Sequence, residues 1–227
     1  MKRVLLAVLL STAAAAAQVA DKANEGYKTK EGRDAVARGL AAPGRDQTER
    51  PRELVEAMGL RPGMKVADVG TGVGYMLPYL SHAVGPLGQV IAEDIAQDFL
   101  DKARLRATTT GLKNIKFVQG TEHDAELPGG VLNAVLLLDA YHHFDYPESM
   151  LKGIRESLMS DGKLYIVEYF KRPNAMGPGS GDRAVTHIRL DQDDLINEVE
   201  ANGFHLVSKH DHVPGSQYMA VFEKRQP

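Results

Sequence analysis

Val66-Ala67-Asp68-Val69-Gly70-Thr71-Gly72-Val73-Gly74-Tyr75 runs from an apolar, β-branched stretch into an amphipathic one. Met64–Val69 reads as a strand, set off by the turn signal Arg61-Pro62-Gly63, and Tyr75–Val84 reads as a helix. Glycines at i, i+2 and i+4 let the joining backbone turn tightly and approach a ligand where a Cβ would collide. The spacing is G-x-G-x-G and not the G-x-G-x-x-G of the dinucleotide fingerprint, which argues against a pyrophosphate cradle.

Working outward, the next strand, Gln89–Glu93, ends in Glu93-Asp94-Ile95. A carboxylate at that strand end is placed to accept two hydrogen bonds from a ribose diol. Asp94 is the first candidate and Glu93 the second. Helix signals follow at Gln97–Thr109, Pro147–Leu158 and Gln192–Asn202. Strand signals fall at Ile115–Val118, Ala134–Leu138, Leu164–Val167, Leu206–Ser208 and Met219–Phe222. The unbroken apolar run Ala134–Leu138 suits a strand covered on both faces. Only the polar stretch His210–Ser216 separates the last two strands, so they are expected to form an antiparallel hairpin. The pattern predicts an α/β fold: a doubly wound, mostly parallel seven-stranded sheet with a C-terminal antiparallel hairpin.

The glycine turn, the acidic second-strand end and Leu137-Leu138-Asp139-Ala140-Tyr141-His142-His143-Phe144 together resemble class I S-adenosylmethionine-dependent methyltransferases. The likeness covers roughly Glu53 to Phe222. It implies S-adenosylmethionine as cofactor, with Asp68, Gly70, Thr71, Gly72 and Gly74 around its amino-acid part. It further implies Asp94 at the ribose hydroxyls, Ile95 among the cofactor-binding residues, and Asp124-Ala125, in the loop Gly120–Ala125, at the adenine. Asp139 is expected to orient the cofactor or the substrate end. Two other classes share this layered architecture: a cofactor-binding protein without catalysis and a nicotinamide-dependent oxidoreductase.

Methyl transfer from a sulfonium is an in-line displacement, so the protein must align donor and acceptor and, where needed, remove a proton. Tyr141, His142 and His143 follow the fourth strand and are the catalytic candidates. An imidazole is a suitable general base near neutral pH. The acceptor is read as a small molecule methylated on nitrogen or oxygen. Arg183, His187 and Arg189, in the Gly- and Pro-rich stretch Tyr169–Leu190, are candidates to cover the acceptor pocket. No metal is expected. The spacing of His142, His143, His187, His205, His210 and His212 matches no compact ligand motif, and no Asp-Asn pair accompanies Asp139 and Glu168 at the fourth and fifth strand ends.

The flanks and the composition set the outer limits. Lys2-Arg3, the apolar run Val4–Leu10 and the alanines from Ala13 to Ala17 have the form of a secretory signal peptide, residues 1–17. Residues 18–50 read as an N-terminal arm with one short helix near Arg33–Leu40, and residues 51–227 as the cofactor-binding domain. The expected location is periplasmic or secreted, with no stable membrane span once the leader is removed. The absence of cysteine among 227 residues excludes disulfides, zinc-thiolate sites and thiol catalysis. A formal charge of −3, 6% aromatic residues and no tryptophan argue against a nucleic-acid partner.

Overall fold

Seven segments rich in β-branched and aliphatic residues pair into one sheet: β1 Lys65–Val69, β2 Gln89–Asp94, β3 Ile115–Gln119, β4 Leu132–Leu138, β5 Leu158–Tyr169, β6 Phe204–Val213 and β7 Gln217–Lys224. The computed structural model describes residues 19–225, so the expected leader lies outside the described residues. The strand order is β3-β2-β1-β4-β5-β7-β6. Neighbours from β3 to β5 are parallel, while β7 runs antiparallel to both β5 and β6. From β1 the chain steps outward to β2 and β3, then returns to β4 on the other side of β1. Loops after β1 and β4 therefore diverge and open a crevice at the strands' carboxyl ends.

Alternation along β4 buries both faces of the sheet. Val135 and Leu137 join a core with α7 (Pro147–Ser157) and α9 (Gln192–Ala201), through Met150, Leu151, Ile154, Leu195 and Val199. Ala134, Leu136 and Leu138 join the opposite core with α4 (Pro51–Met58), α5 (Leu77–Val84) and α6 (Gln97–Thr109), through Leu54, Leu77, Leu80 and Ala103. The continuous apolar run therefore belongs to a strand sandwiched between two helical layers. Asp191 caps α9 by accepting the Asp194 N–H, and Gly203 follows the helix at φ +87°.

Three segments differ from expectation. The polar stretch His210–Ser216 is mostly strand: β6 runs to Val213 and only Pro214-Gly215-Ser216 turns. Its outward side chains are charged because β6 is an edge strand, and that hid the strand pattern. The Gly- and Pro-rich stretch after Tyr169 carries a short helix, α8 (Arg183–His187), whose buried Ala184 packs with Ala175 and Ile188. The arm holds α1 (Asp21–Asn24), a 3₁₀ turn at Glu25–Tyr27, α2 (Lys30–Leu40) and α3 (Arg45–Glu49). It folds over the crevice through Ala37, Val36 and Leu40, which pack on Val73 and Phe99.

Candidate active site

The glycine turn and the β2 end are tied together by carboxylates. Gly70 and Gly72 sit at φ +71° and +54°, left-handed backbone that favours glycine. Thr71 Oγ1 donates to Asp68 Oδ2 at 2.6 Å. The Gly72 and Ala96 N–H groups donate to the two Asp94 oxygens, each at 2.9 Å, and the Gly70 N–H donates to Glu93 Oε2 at 3.3 Å. Glu93 Oε1 is buried with no hydrogen-bond partner.

Burial raises the Asp68 and Asp94 carboxyls to about 6 and holds Glu93 well above the ordinary value, with Asp94 beside it adding to the effect. A floor of acids carried in this way favours a cationic ligand that restores their charge. Binding a cation needs Asp68 and Asp94 ionised, so binding below pH 6 releases protons. Affinity for a sulfonium ligand is therefore expected to fall by up to about tenfold per pH unit per carboxyl below pH 6 and to be level above pH 7. In the unliganded chain the same two groups stabilise the fold fully below an unfolded value of about 3.9 and lose that contribution as pH rises through about 6. Calorimetric titration from pH 5 to 8 checks this, and a pH-independent affinity contradicts it.

A cleft of about 1580 Å³ opens over this floor. Small-ligand pockets commonly occupy about 300–1,000 Å³, so two ligands fit side by side. Asp68, Gly70, Thr71, Gly72, Asp94, Ile95, Asp139, His142 and His143 all line it. Glu93, Arg183 and His187 line it too, whereas Gly74, Asp124, Ala125, Tyr141 and Arg189 do not. A Cβ on Gly74 would meet Leu77 and Ala103 at 2.8 and 3.0 Å, so this glycine allows α6 to approach the turn. Ala125 belongs to the core, and Asp124 closes its own loop by accepting the Glu126 N–H. Thr121 and Glu122 line the cleft in their place, three positions earlier. Tyr141 turns away: its hydroxyl donates to Glu198 Oε1 at 2.6 Å beneath Arg189, which itself pairs with Glu198 and does not face the cleft. The catalytic expectation for Tyr141 is corrected accordingly.

Sequence reasoning missed a group supplied by the arm. Glu49, 4% exposed, stands beside Asp139, and Gln217 Nε2 donates to both at 2.7 and 2.9 Å. Burial, Glu49 and Glu168 hold the Asp139 carboxyl well above its usual range, and its backbone is left-handed at φ +51°. The Arg45 guanidinium lies 4.1 Å from the Tyr75 ring centre and on the cleft wall. Nothing in the sequence around Glu49 announces a partner as distant along the chain as Asp139.

His142 and His143 lie in the 3₁₀ turn Tyr141–His143, directly after β4. Glu168, at the end of β5 and fully buried, accepts from both the His142 backbone N–H at 3.0 Å and its Nδ1 at 2.6 Å. His142 Nε2 is buried and has no partner. Asn24 clamps His143: its Nδ2 donates to the His143 carbonyl and its Oδ1 accepts from Nδ1 at 2.8 Å. These contacts assign a proton to Nδ1 of both rings, so in the neutral tautomer the lone pair is on Nε2. Burial and the His142 and His187 rings hold His143 well below the ordinary imidazole value. His187, from α8, is lowered to about 4 chiefly by burial. No metal was expected from sequence, yet the fold brings the ring nitrogens of His142, His143 and His187 within 4.8 Å of one another.

Comparison with known proteins agrees with this geometry. Residues 67–166 match the model of the methyltransferase domain family. The ubiquinone/menaquinone biosynthesis C-methyltransferase UbiE of Pseudomonas fluorescens is 30% identical over 126 residues, 55% of this chain and 49% of that protein. The chain thus spans about half the length of the curated relatives it matches. Among solved structures, an S-adenosylmethionine-dependent methyltransferase from Aquifex aeolicus superposes with a TM-score of 0.75 at 24% identity, covering 83% of this chain and 96% of that one. The cyclase SpnF superposes at 0.63 with 18% identity, covering 79% and 81%, so the fold by itself does not specify the reaction. Glycine turn, acidic floor and family match coincide in one stretch: residues 67–166 are similar to the methyltransferase domain family, and the fold around them is the one seen in the Aquifex aeolicus enzyme.

Proposed function

We propose that the chain transfers the methyl group of S-adenosylmethionine to a nitrogen or oxygen atom of a small molecule. The residues present suit that donor. Its sulfonium and α-ammonium groups are cationic, matching the floor of Asp68, Asp94 and Asp139. Arg45 suits its carboxylate, and the half-exposed Ile95 suits the adenine face. The Glu93 oxygen without a partner and the left-handed glycine cradle are features a polar ligand would complete. When bound, the donor supplies a methyl group already activated by positive sulfur.

The observation that carries the reading is the unpartnered Nε2 of His142, buried in the cleft wall beside the carboxylate that fixes its ring. An acceptor O–H or N–H placed there gives up its proton as its lone pair forms the new bond to carbon. The carbon–sulfur bond breaks, and its electron pair stays on sulfur. The arm and α8 narrow access to the cleft, which disfavours attack by water. UbiE is named for methylation at carbon, so the product atom is the deciding readout. With ¹³C-methyl S-adenosylmethionine and a panel of phenols, aminophenols and imidazoles, the product is expected to show an O–CH₃ or N–CH₃ resonance. Labelling at carbon overturns the proposal.

Export is part of the same proposal, supported by the composition of residues 1–17. A cut after Ala17 leaves the arm's anchors in place: the Ala20 N–H donates to Asp145 Oδ1, and Asn24 holds His143. Terminal sequencing of protein from the host periplasm should then begin at Gln18.

A further inference from the structure

We propose that His142 Nε2, His143 Nε2 and a ring nitrogen of His187 form a site for one divalent transition-metal ion of the zinc class, with an open coordination position facing the acceptor half of the cleft. Three observations carry this. The ring nitrogens cluster within 4.8 Å among the described residues. The Nε2 of His142 is buried and unpartnered, while its Nδ1 and its backbone N–H are both held by Glu168. The Nδ1 atoms of His142 and His143 are held by Glu168 and Asn24, the outer-sphere arrangement that fixes the tautomer and sharpens ligand basicity in histidine metal sites.

Proton chemistry alone gives a poor account of the third ring. Ring centres stand 4.0 Å apart for His142 and His143, 4.9 Å for His142 and His187, and 5.4 Å for His143 and His187. Imidazolium ions at such separations repel, and one base is enough for one acceptor proton. The groups facing the cluster include Glu168, Asn24, Arg183 and Tyr27, and none of them donates to the free nitrogen of His142. A cation shared by three lone pairs satisfies all of them together. Imidazole ligands select zinc-like ions over magnesium or calcium, which require oxygen. Three imidazoles with a fourth place open is the pattern of catalytic zinc. Tetrahedral coordination at about 2.0–2.1 Å sets ligand nitrogens about 3.3 Å apart, so the three rings draw together on binding. His187 ends the short helix α8, which is five residues long.

The consequence for the acceptor rests on the methyl-transfer reading above. All three histidines line the cleft, so the acceptor enters as the fourth ligand through an ionisable oxygen or nitrogen. The ion then takes over the activating role from the imidazole lone pair, lowering the acceptor's pKa so that its proton leaves to bulk water before the methyl arrives.

The test is titration of the tag-free, metal-stripped chain with Co²⁺, followed by visible absorption, with S-adenosylhomocysteine affinity measured on the same samples. One equivalent of Co²⁺ with the strong absorption of a four-coordinate site is expected, displaced by Zn²⁺. His187→Ala should weaken it at least about 100-fold, and Glu168→Gln about 10–100-fold with the same stoichiometry. Weak, six-coordinate absorption, or equal affinity in wild type and His187→Ala, overturns the site. Loss of Co²⁺ binding with S-adenosylhomocysteine binding intact counts against the metal alone. Co²⁺ binding without S-adenosylhomocysteine binding counts against the donor reading alone.

Discussion

Replacing Asp94 with alanine is expected to weaken S-adenosylhomocysteine binding by about two orders of magnitude or more while the chain stays folded. The carboxylate has two tasks. It accepts the Gly72 and Ala96 N–H groups, holding the glycine turn and the start of α6 to the end of β2. Its remaining lone pairs face the cleft, where a ribose diol would donate. Hydrogen bonds to a charged group are worth about 1.5–3 kcal/mol each, and two of them correspond to roughly 10²–10⁴ in affinity. Two buried N–H groups lose their acceptor as well, costing about 1–3 kcal/mol each in stability unless water enters. Asp94→Asn separates the two tasks. It keeps one acceptor for the turn but sets its NH2 against the other backbone N–H and donates where the ribose donates, so it should lose less stability than alanine and bind the ligand as poorly as alanine does. Calorimetry with thermal melts checks both variants.

His142→Ala is expected to lower turnover by about 10²–10⁴-fold, the usual worth of a positioned proton acceptor, while donor affinity changes by less than about threefold. The ring meets the acceptor and not the glycine turn, hence the split. A cost in stability accompanies it. Glu168 is fully buried and its Oε1 has no partner, so removing the ring strands the remaining oxygen with one backbone N–H. Breaking a buried pair of this kind costs about 3–5 kcal/mol. His142→Asn keeps a polar partner near Glu168 and should recover part of the stability without the turnover. Single-turnover kinetics beside urea unfolding distinguishes these effects, and equal activity in the variant contradicts the assignment.

The sheet was legible because each strand carries its own signal. β1 and β4 are buried on both faces and made of aliphatic residues, and the glycine turn after β1 marks the crevice. Asp94 was legible for the same local reason, as an acid at a strand end. What escaped is non-local. Tyr141 neighbours His142 in sequence, but the 3₁₀ turn sends consecutive side chains in different directions: one ring reaches Glu198 and the next reaches Glu168. Glu49 and Asn24 act from an arm whose docking depends on burial of Ala20, Ala23 and Ala37, small residues with weak periodicity. His187 joins His142 only because β5 returns beside β4 and the stretch beyond it folds back as α8. Ligand spacing along a chain detects metal sites built within one element. It cannot detect one assembled from two strand-end loops.

We expect the donor to lie across the bend between β1 and α5, its sugar held by Asp94 and its cationic end over Asp68 and Asp139. A crystal structure of the chain with S-adenosylhomocysteine tests this most directly. The account predicts both ribose hydroxyls within hydrogen-bond distance of the Asp94 carboxylate and the sulfur turned toward His142. A ligand seated elsewhere, or ribose hydroxyls that leave Asp94 untouched, would contradict it.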